Sequence, residues 1–215
     1  MPISLRRSPL RCWKSGPSHR PRSLPRNPTP TGVSPTAAGI AARCRDARGG
    51  CEPAMSSPEP HPDVAHLASL LGTWRGRGTG MYPTIETFGY LEEVIFGHVG
   101  KPFLSYTQKT RHAETDLPLH TEAGYLRPVG VDRVEFVVAQ PTGVVELHEG
   151  EVAMTDGGLS LSMRSTSVPR TATARDVQRV ERVVQVEDDS LTYRLDMAAV
   201  GLDLQHHLSA ELHRA

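Results

Sequence analysis

The sequence predicts an all-β fold: a ten-stranded antiparallel up-and-down β-barrel of the calycin or fatty-acid-binding kind, with a short N-terminal helix and a disordered N-terminal tail. Three observations predict it. From Thr73 to the C-terminus, apolar and polar residues alternate with period two, the signature of half-buried strands. Turn clusters rather than helical stretches divide that region, at Gly97-His98-Val99-Gly100, Gln140-Pro141-Thr142-Gly143, Asp156-Gly157-Gly158 and Glu187-Asp188-Asp189. Many short strands in a meander are best satisfied by closure, which removes exposed edges.

Residues 1–54 stand apart in composition. They hold ten of the 24 basic residues and two of the 24 acidic ones, which leaves 14 basic and 22 acidic residues in 55–215. The overall neutrality therefore describes neither part. Rich in Pro, Ser, Arg and Gly and without apolar periodicity, residues 1–54 cannot bury enough surface to offset their ordering entropy, and they read as disordered. Pro17, Pro21, Pro25, Pro28 and Pro30 argue against the amphipathic helix of a transit peptide, and no apolar stretch supports a secretory signal. Met55 offers itself as an alternative start, with residues 1–54 an over-extended gene model. All three cysteines, Cys12, Cys44 and Cys51, fall in this tail. The domain thus has no disulfide framework and no thiolate metal site, which suits a cytoplasmic protein. No apolar run approaches the length of a membrane span, and no aromatic interleaving marks the basic tail as a nucleic-acid arm.

Next comes the helix, near 62–71, with Val64, Leu67, Leu70 and Leu71 on one face and Gly72 as its stop. Strands follow near 73–81, 87–98, 102–112, 118–127, 131–139, 143–153, 158–166, 174–187, 190–199 and 203–213. Val134-Glu135-Phe136-Val137-Val138 and Leu191-Thr192-Tyr193-Arg194-Leu195 carry the β-branched and aromatic residues that strands favour. In the first strand, Gly72, Gly76, Gly78 and Gly80 strip one face of side chains, so that a second backbone or a flat ligand could approach closely. Trp74 reads first as a plug at one end of the barrel and second as a ligand contact. A barrel of this size has room for a ligand.

The familiar catalytic signatures are missing: there is no Gly-x-Ser-x-Gly, no Walker loop, no His-Glu-x-x-His and no Cys-x-x-Cys. Gly76-x-Gly78-x-Gly80 leads into Tyr82-Pro83 and another strand, not a helix, so a dinucleotide fingerprint fails on context. Histidines are the remaining ligating groups. Two places stand out: Leu204-Gln205-His206-His207-Leu208 in the last strand and Leu117-Pro118-Leu119-His120-Thr121-Glu122 in the fourth. A neutral imidazole in an apolar cavity is what a haem iron requires as proximal ligand.

Residues 62–214 resemble the nitrobindin family of haem-binding β-barrels. The matching elements are Gly72-x-Trp74-x-Gly76-x-Gly78, Tyr82-Pro83-Thr84-Ile85, Tyr90-x-Glu92-Glu93, Gly100-Lys101-Pro102-Phe103-Leu104-x-Tyr106-Thr107-Gln108, Pro118-x-His120-x-Glu122-x-Gly124-Tyr125 and His207-Leu208-x-Ala210-x-Leu212. The resemblance implies one haem b per subunit at an open barrel end, with His207 as the axial iron ligand. Thr84, Leu119, His120, Met197 and Arg175 would line the haem site, Arg175 standing where relatives carry a lysine that could meet a propionate. It further implies that residues 55–215 form a peroxynitrite isomerase that converts peroxynitrite to nitrate at ferric iron and also binds nitric oxide. No nucleic acid or membrane is expected as partner, and a homodimer is left open. The alternative is a non-enzymatic, lipocalin-like carrier of an apolar small molecule or tetrapyrrole.

Strict alternation in the last strand conflicts with one point of this. It puts Leu204, His206, Leu208, Ala210 and Leu212 on one face and His207 on the other. Periodicity alone therefore selects His206, the resemblance selects His207, and a bulge between them would reconcile the two.

Overall fold

The computed structural model describes residues 58–215; the predicted tail and its three cysteines lie outside the described residues. A 3-10 helix (Pro62–Leu70) leads into ten strands: β1 (Gly72–Tyr82), β2 (Ile85–Gly97), β3 (Leu104–His112), β4 (Pro118–Val129), β5 (Arg133–Ala139), β6 (Val145–Thr155), β7 (Gly158–Ser167), β8 (Val177–Glu187), β9 (Ser190–Ala199) and β10 (Gln205–Arg214). Each strand pairs antiparallel with its sequence neighbour, and β1 also pairs with β10, so the sheet closes on itself as a barrel.

The helix is narrower than helical spacing of the α kind suggests. Its buried residues are Val64, Leu67 and Leu70, a period of three that matches 3-10 geometry. Leu71, predicted on the same face, follows the helix and is only partly buried. The helix seals one barrel end together with Trp74, which is fully buried. The Trp74 indole N–H donates to the Leu70 carbonyl at 2.8 Å, and the Arg214 guanidinium lies 4.2 Å over the ring centre, a cation–π contact.

The glycine face of β1 is packed against other parts of the protein. A side chain at Gly76 would run into the Glu211 carbonyl of β10, and one at Gly78 into the Tyr90 ring. The neighbour is a second backbone at Gly76 and aromatic side chains at Gly78 and Gly80, Tyr90 and Phe88.

An up-and-down meander delivers its connections to alternate ends. The 98–103, 130–132, 156–157 and 188–189 connections share the Trp74 end with the 3-10 helix, while those at 83–84, 113–117, 140–144, 168–176 and 200–204 gather at the other. Between the ends, inward residues form an apolar core around Phe96, Tyr106 and Phe136, whose rings meet tilted and edge-on at 5.3 and 5.0 Å between centroids.

Candidate functional site

The second end is open and leads into a cavity of about 600 Å³, within the usual size range of ligand and cofactor sites. Thr84 of the β1–β2 turn, Leu119 and His120 at the start of β4, Arg175 before β8, Met197 on β9 and His207 on β10 all line it. Six residues that are scattered over 124 positions of sequence meet because every odd-to-even connection reaches this rim. Phe88, Val177, Leu195 and Leu208 make much of the remaining wall apolar. Among the four motif residues, Gly72, Trp74, Gly76 and Gly78, none lines the cavity; they belong to the closed end and to the β1 packing.

The placement of His207 depends on a break in register. Across the β10–β9 pair His206 faces Asp196 while Leu208 faces Leu195, so one residue, His207, is extra on β10. Such a bulge re-aims a side chain that strict alternation would send outward. His207 therefore joins Leu208 on the cavity side. His206 goes to the opposite face, where its Nδ1 lies 3.2 Å from Asp196 Oδ1. Alternation alone had assigned these two faces the other way round.

A second irregularity lies beside the first. The β1–β2 register shifts between Gly80 and Tyr82, and the Met81 carbonyl oxygen accepts a hydrogen bond from His207 Nδ1 at 2.9 Å. Because a carbonyl can only accept, the ring proton sits on Nδ1 and the lone pair of the neutral imidazole sits on Nε2. Burial pushes the His207 imidazole below its ordinary pKa, against an opposing pull from the Met81 carbonyl, which keeps the ring neutral. The Tyr82 ring stands edge-on to the imidazole at 5.4 Å and 73°. Its hydroxyl accepts from the Ala199 N–H at 2.9 Å. A cavity-facing histidine with Nδ1 tied to backbone and Nε2 presented as donor is the arrangement of a metal-ligating imidazole, and a wide apolar cavity with an arginine and a threonine at its rim suits a flat apolar cofactor that carries acidic groups. The residues present fit a haem.

Beneath the cavity lies a polar layer whose residues the sequence reading quoted only in part, and to which it gave no role. Arg182 forks onto Glu122 with bonds of 3.1 and 3.0 Å and onto Glu146 Oε2 with bonds of 3.2 and 2.8 Å. His148 meets Glu146 at 2.8 Å. Burial alone would raise Glu122, but the Arg182 charge dominates with its partners and holds it at about 2. His120 Nε2 is 3.5 Å from Glu122 Oε1, so this layer reaches the cavity wall. On the far side of the layer Glu92 is bonded by Gln108 and Tyr193. The sequence signal was available: Glu92, Gln108, Glu122, Glu146 and Arg182 each occupy an inward register position, for example Tyr90-Glu92-Val94-Phe96, where an apolar residue is expected.

Comparison with known proteins gives consistent results. Residues 63–214 match the family model described as THAP4-like, heme-binding beta-barrel domain. A peroxynitrite isomerase of Nocardia farcinica is 50% identical over 165 residues, covering 75% of this chain and 98% of the relative. Peroxynitrite isomerase 2 of Mycobacterium avium is 53% identical over 154 residues, covering 72% and 96%. The crystal structure of Rv2717c from M. tuberculosis superposes with a TM-score of 0.72 at 45% identity, covering 73% of this chain and 99% of that one.

Proposed function

Because the chain belongs to the THAP4-like haem-binding β-barrel family, we propose that it is a haem-dependent peroxynitrite isomerase, with haem b held in the open barrel end by His207. The observation that carries the site assignment is the His207–Met81 bond, which leaves Nε2 free for iron on the wall of the large cavity.

When bound, ferric haem supplies the Lewis-acidic iron and the redox chemistry of the O–O rearrangement. The chain supplies the rest. His207 provides a neutral donor whose basicity the Met81 carbonyl raises, and Tyr82 fixes its ring. Arg175 and Thr84, which line the cavity, would receive the propionates; no carboxylate among the described residues pairs with Arg175. Leu119, Met197 and Phe88 line the cavity with apolar surface that would confine small uncharged species beside a bound haem. His120, 3.5 Å from Glu122, is a polar group on the cavity wall. Converting peroxynitrite to nitrate moves no net proton, so no obligatory acid or base is assigned.

A haem held there by His207 would also bind nitric oxide, which we include as a ligand. The functional unit is assigned to residues 55–215, with residues 1–54 as a separate tail. No helix among the described residues is long and apolar enough to cross a membrane, and we place the protein in the cytoplasm. A row of outward residues, Tyr125, Val137 and Leu147, runs across β4, β5 and β6, with Tyr125 and Leu147 exposed. It is the face on which a homodimer would form, and light scattering tests it.

The function is tested by absorption spectra of haemin-loaded protein beside His207→Ala and His206→Ala, followed by stopped-flow decay of peroxynitrite with nitrate quantified. We expect a protein-dependent Soret band in wild type and His206→Ala, its loss in His207→Ala, and accelerated decay to nitrate only where the band persists. No Soret change in wild type would instead leave a carrier of another apolar molecule, and loss in His206→Ala alone would move the ligand.

A further inference from the structure

Two tyrosines and one carboxylate inside the barrel form a group that the isomerisation does not use. The phenol oxygens of Tyr90 and Tyr193 are 2.7 Å apart. Tyr193 O–H donates to Glu92 Oε2 at 2.9 Å, and the Gln108 amide donates to Glu92 Oε1. Tyr90 lines the large cavity. Tyr193 lies behind it, against a smaller apolar chamber that it shares with Phe96, Phe136 and Leu161. The three groups thus run in series from the cavity wall into the core.

What separates this carboxylate from its neighbours is its company. Glu122 and Glu146 are both clamped by the Arg182 guanidinium, whereas the hydrogen-bond partners of Glu92 are neutral. Burial therefore governs Glu92 and lifts it to about 7, the reverse of Glu122. Among the buried carboxylates Glu92 is the one with proton affinity to spare. The position of each tyrosine then decides what it can do when it loses an electron, because an oxidised phenol is a strong acid and needs a base within hydrogen-bond reach. Tyr90 has Tyr193 and the Ser209 carbonyl as partners, at 2.7 and 3.2 Å, and neither is a base. Tyr106 points at Glu122, 3.2 Å away, whose lone pairs Arg182 already holds. Tyr193 alone is bonded to an unclamped carboxylate.

We propose that Tyr90, Tyr193 and Glu92 form a one-electron donor built into the cavity wall, which reduces nitrogen dioxide radical that fails to recombine. This rests on the peroxynitrite reading above, since homolysis of the peroxide O–O bond is the source of that oxidant. In the step, Tyr193 gives up one electron and its O–H proton. The electron passes by way of Tyr90 to nitrogen dioxide, which becomes nitrite, and the proton crosses to the Glu92 carboxylate, which becomes a carboxylic acid. Tyr193–OH, Glu92–COO⁻ and •NO2 thus give Tyr193–O•, Glu92–COOH and NO2⁻, with atoms, charge and electrons balanced. The oxidising equivalent is left on a buried phenoxyl instead of diffusing away.

The test is rapid-freeze electron paramagnetic resonance of the haem-loaded full chain, mixed with one equivalent of peroxynitrite. Wild type, Tyr193→Phe, Glu92→Gln and Tyr106→Phe are compared, with nitrate and nitrite measured in the same samples. A phenoxyl signal is expected in wild type and Tyr106→Phe, narrowed by ring-deuterated tyrosine. It should fall at least fivefold in Tyr193→Phe and in Glu92→Gln, while nitrate formation stays unchanged. Equal signals in Tyr193→Phe, or nitrate formed normally in wild type with no phenoxyl, would overturn the proposal and leave the isomerase reading intact. If wild type does not accelerate peroxynitrite decay, the isomerase reading is the one that fails. Radiolytic nitrogen dioxide delivered to the same samples then tests the donor directly: a signal lost in Tyr193→Phe supports it, and its absence in wild type overturns it.

Discussion

His207 Nδ1 and the Met81 carbonyl oxygen meet at 2.9 Å, each at an irregularity of its own strand. Register breaks on both sides of one hydrogen bond account for a histidine that faces the cavity in the required tautomer. β-Bulges next to functional sites are common because they re-aim one side chain at little cost to the ladder.

Tyr82→Phe should remove the partner of the buried Ala199 N–H while keeping the ring edge against His207. An orphaned buried donor costs about 1–3 kcal/mol, which urea unfolding should register. The Soret maximum should stay in place, because the imidazole keeps its Met81 bond. Unchanged stability would show that water or another group takes over the Ala199 amide.

Glu92 governs a distinct pH dependence. Its folded pKa, raised by burial from the ordinary carboxylate value of about 4.5 to about 7, means that between those two pH values the folded state holds a proton that the unfolded state has released. Stability is thus greatest below about 4.5, declines as pH rises through 7, and levels off above. The full difference is on the order of 3 kcal/mol. Glu92→Gln should flatten the curve between pH 5 and 8, and a wild-type curve already flat there would contradict the assignment. Glu122, held at about 2, acts in the opposite sense: its contribution is present above about 4.5 and is lost as pH falls towards 2, outside that window.

Arg182→Met should cost about 3–5 kcal/mol, since it strands Glu122 and Glu146 without their shared cation. The triple variant Arg182→Met, Glu122→Gln, Glu146→Gln should recover most of that loss. Chemical denaturation of both resolves the matter: equal losses in the single and triple variants would mean that packing, not charge, dominates at this layer.

Gly76→Ala tests the β1–β10 closure. The added methyl group meets backbone, the Glu211 carbonyl, and not a movable side chain. A loss of more than about 2 kcal/mol is expected, in the upper part of the range for single substitutions, and a neutral result would mean that the seam is slack.

Arg175→Glu places a negative charge at the cavity rim, where acidic cofactor groups are proposed to sit. Haem dissociation measured by transfer to an acceptor globin should quicken at least tenfold, and more at low salt than at high salt. Equal rates would remove Arg175 from the haem site.

Much of the fold was legible in order. The ten strand positions agree with the observed ones to within about three residues at each end, because period-two alternation and two-residue turns such as Asp156-Gly157 are written locally. The helix was legible as an element near 62–71, but its 3-10 character was not, because Val64, Leu67, Leu70 and Leu71 also fit one face of an α-helix. The polar layer was half legible. Charged residues at inward positions were visible one strand at a time, but nothing in the sequence pairs Arg182 with Glu122, 60 positions away.

By itself, then, the sequence determined the class of fold, the up-and-down order of its strands, and hence which connections share the open rim with Thr84, Leu119, His120 and Arg175. These follow from the rule that successive residues of a strand face opposite ways and successive hairpins turn at opposite ends. Only the tertiary structure decided which of His206 and His207 faces the cavity. The choice hangs on one extra residue in β10 against β9, and a bulge is a relation between two strands, set by their pairing and by the carbonyl that Met81 presents, so no periodicity within one strand can contain it.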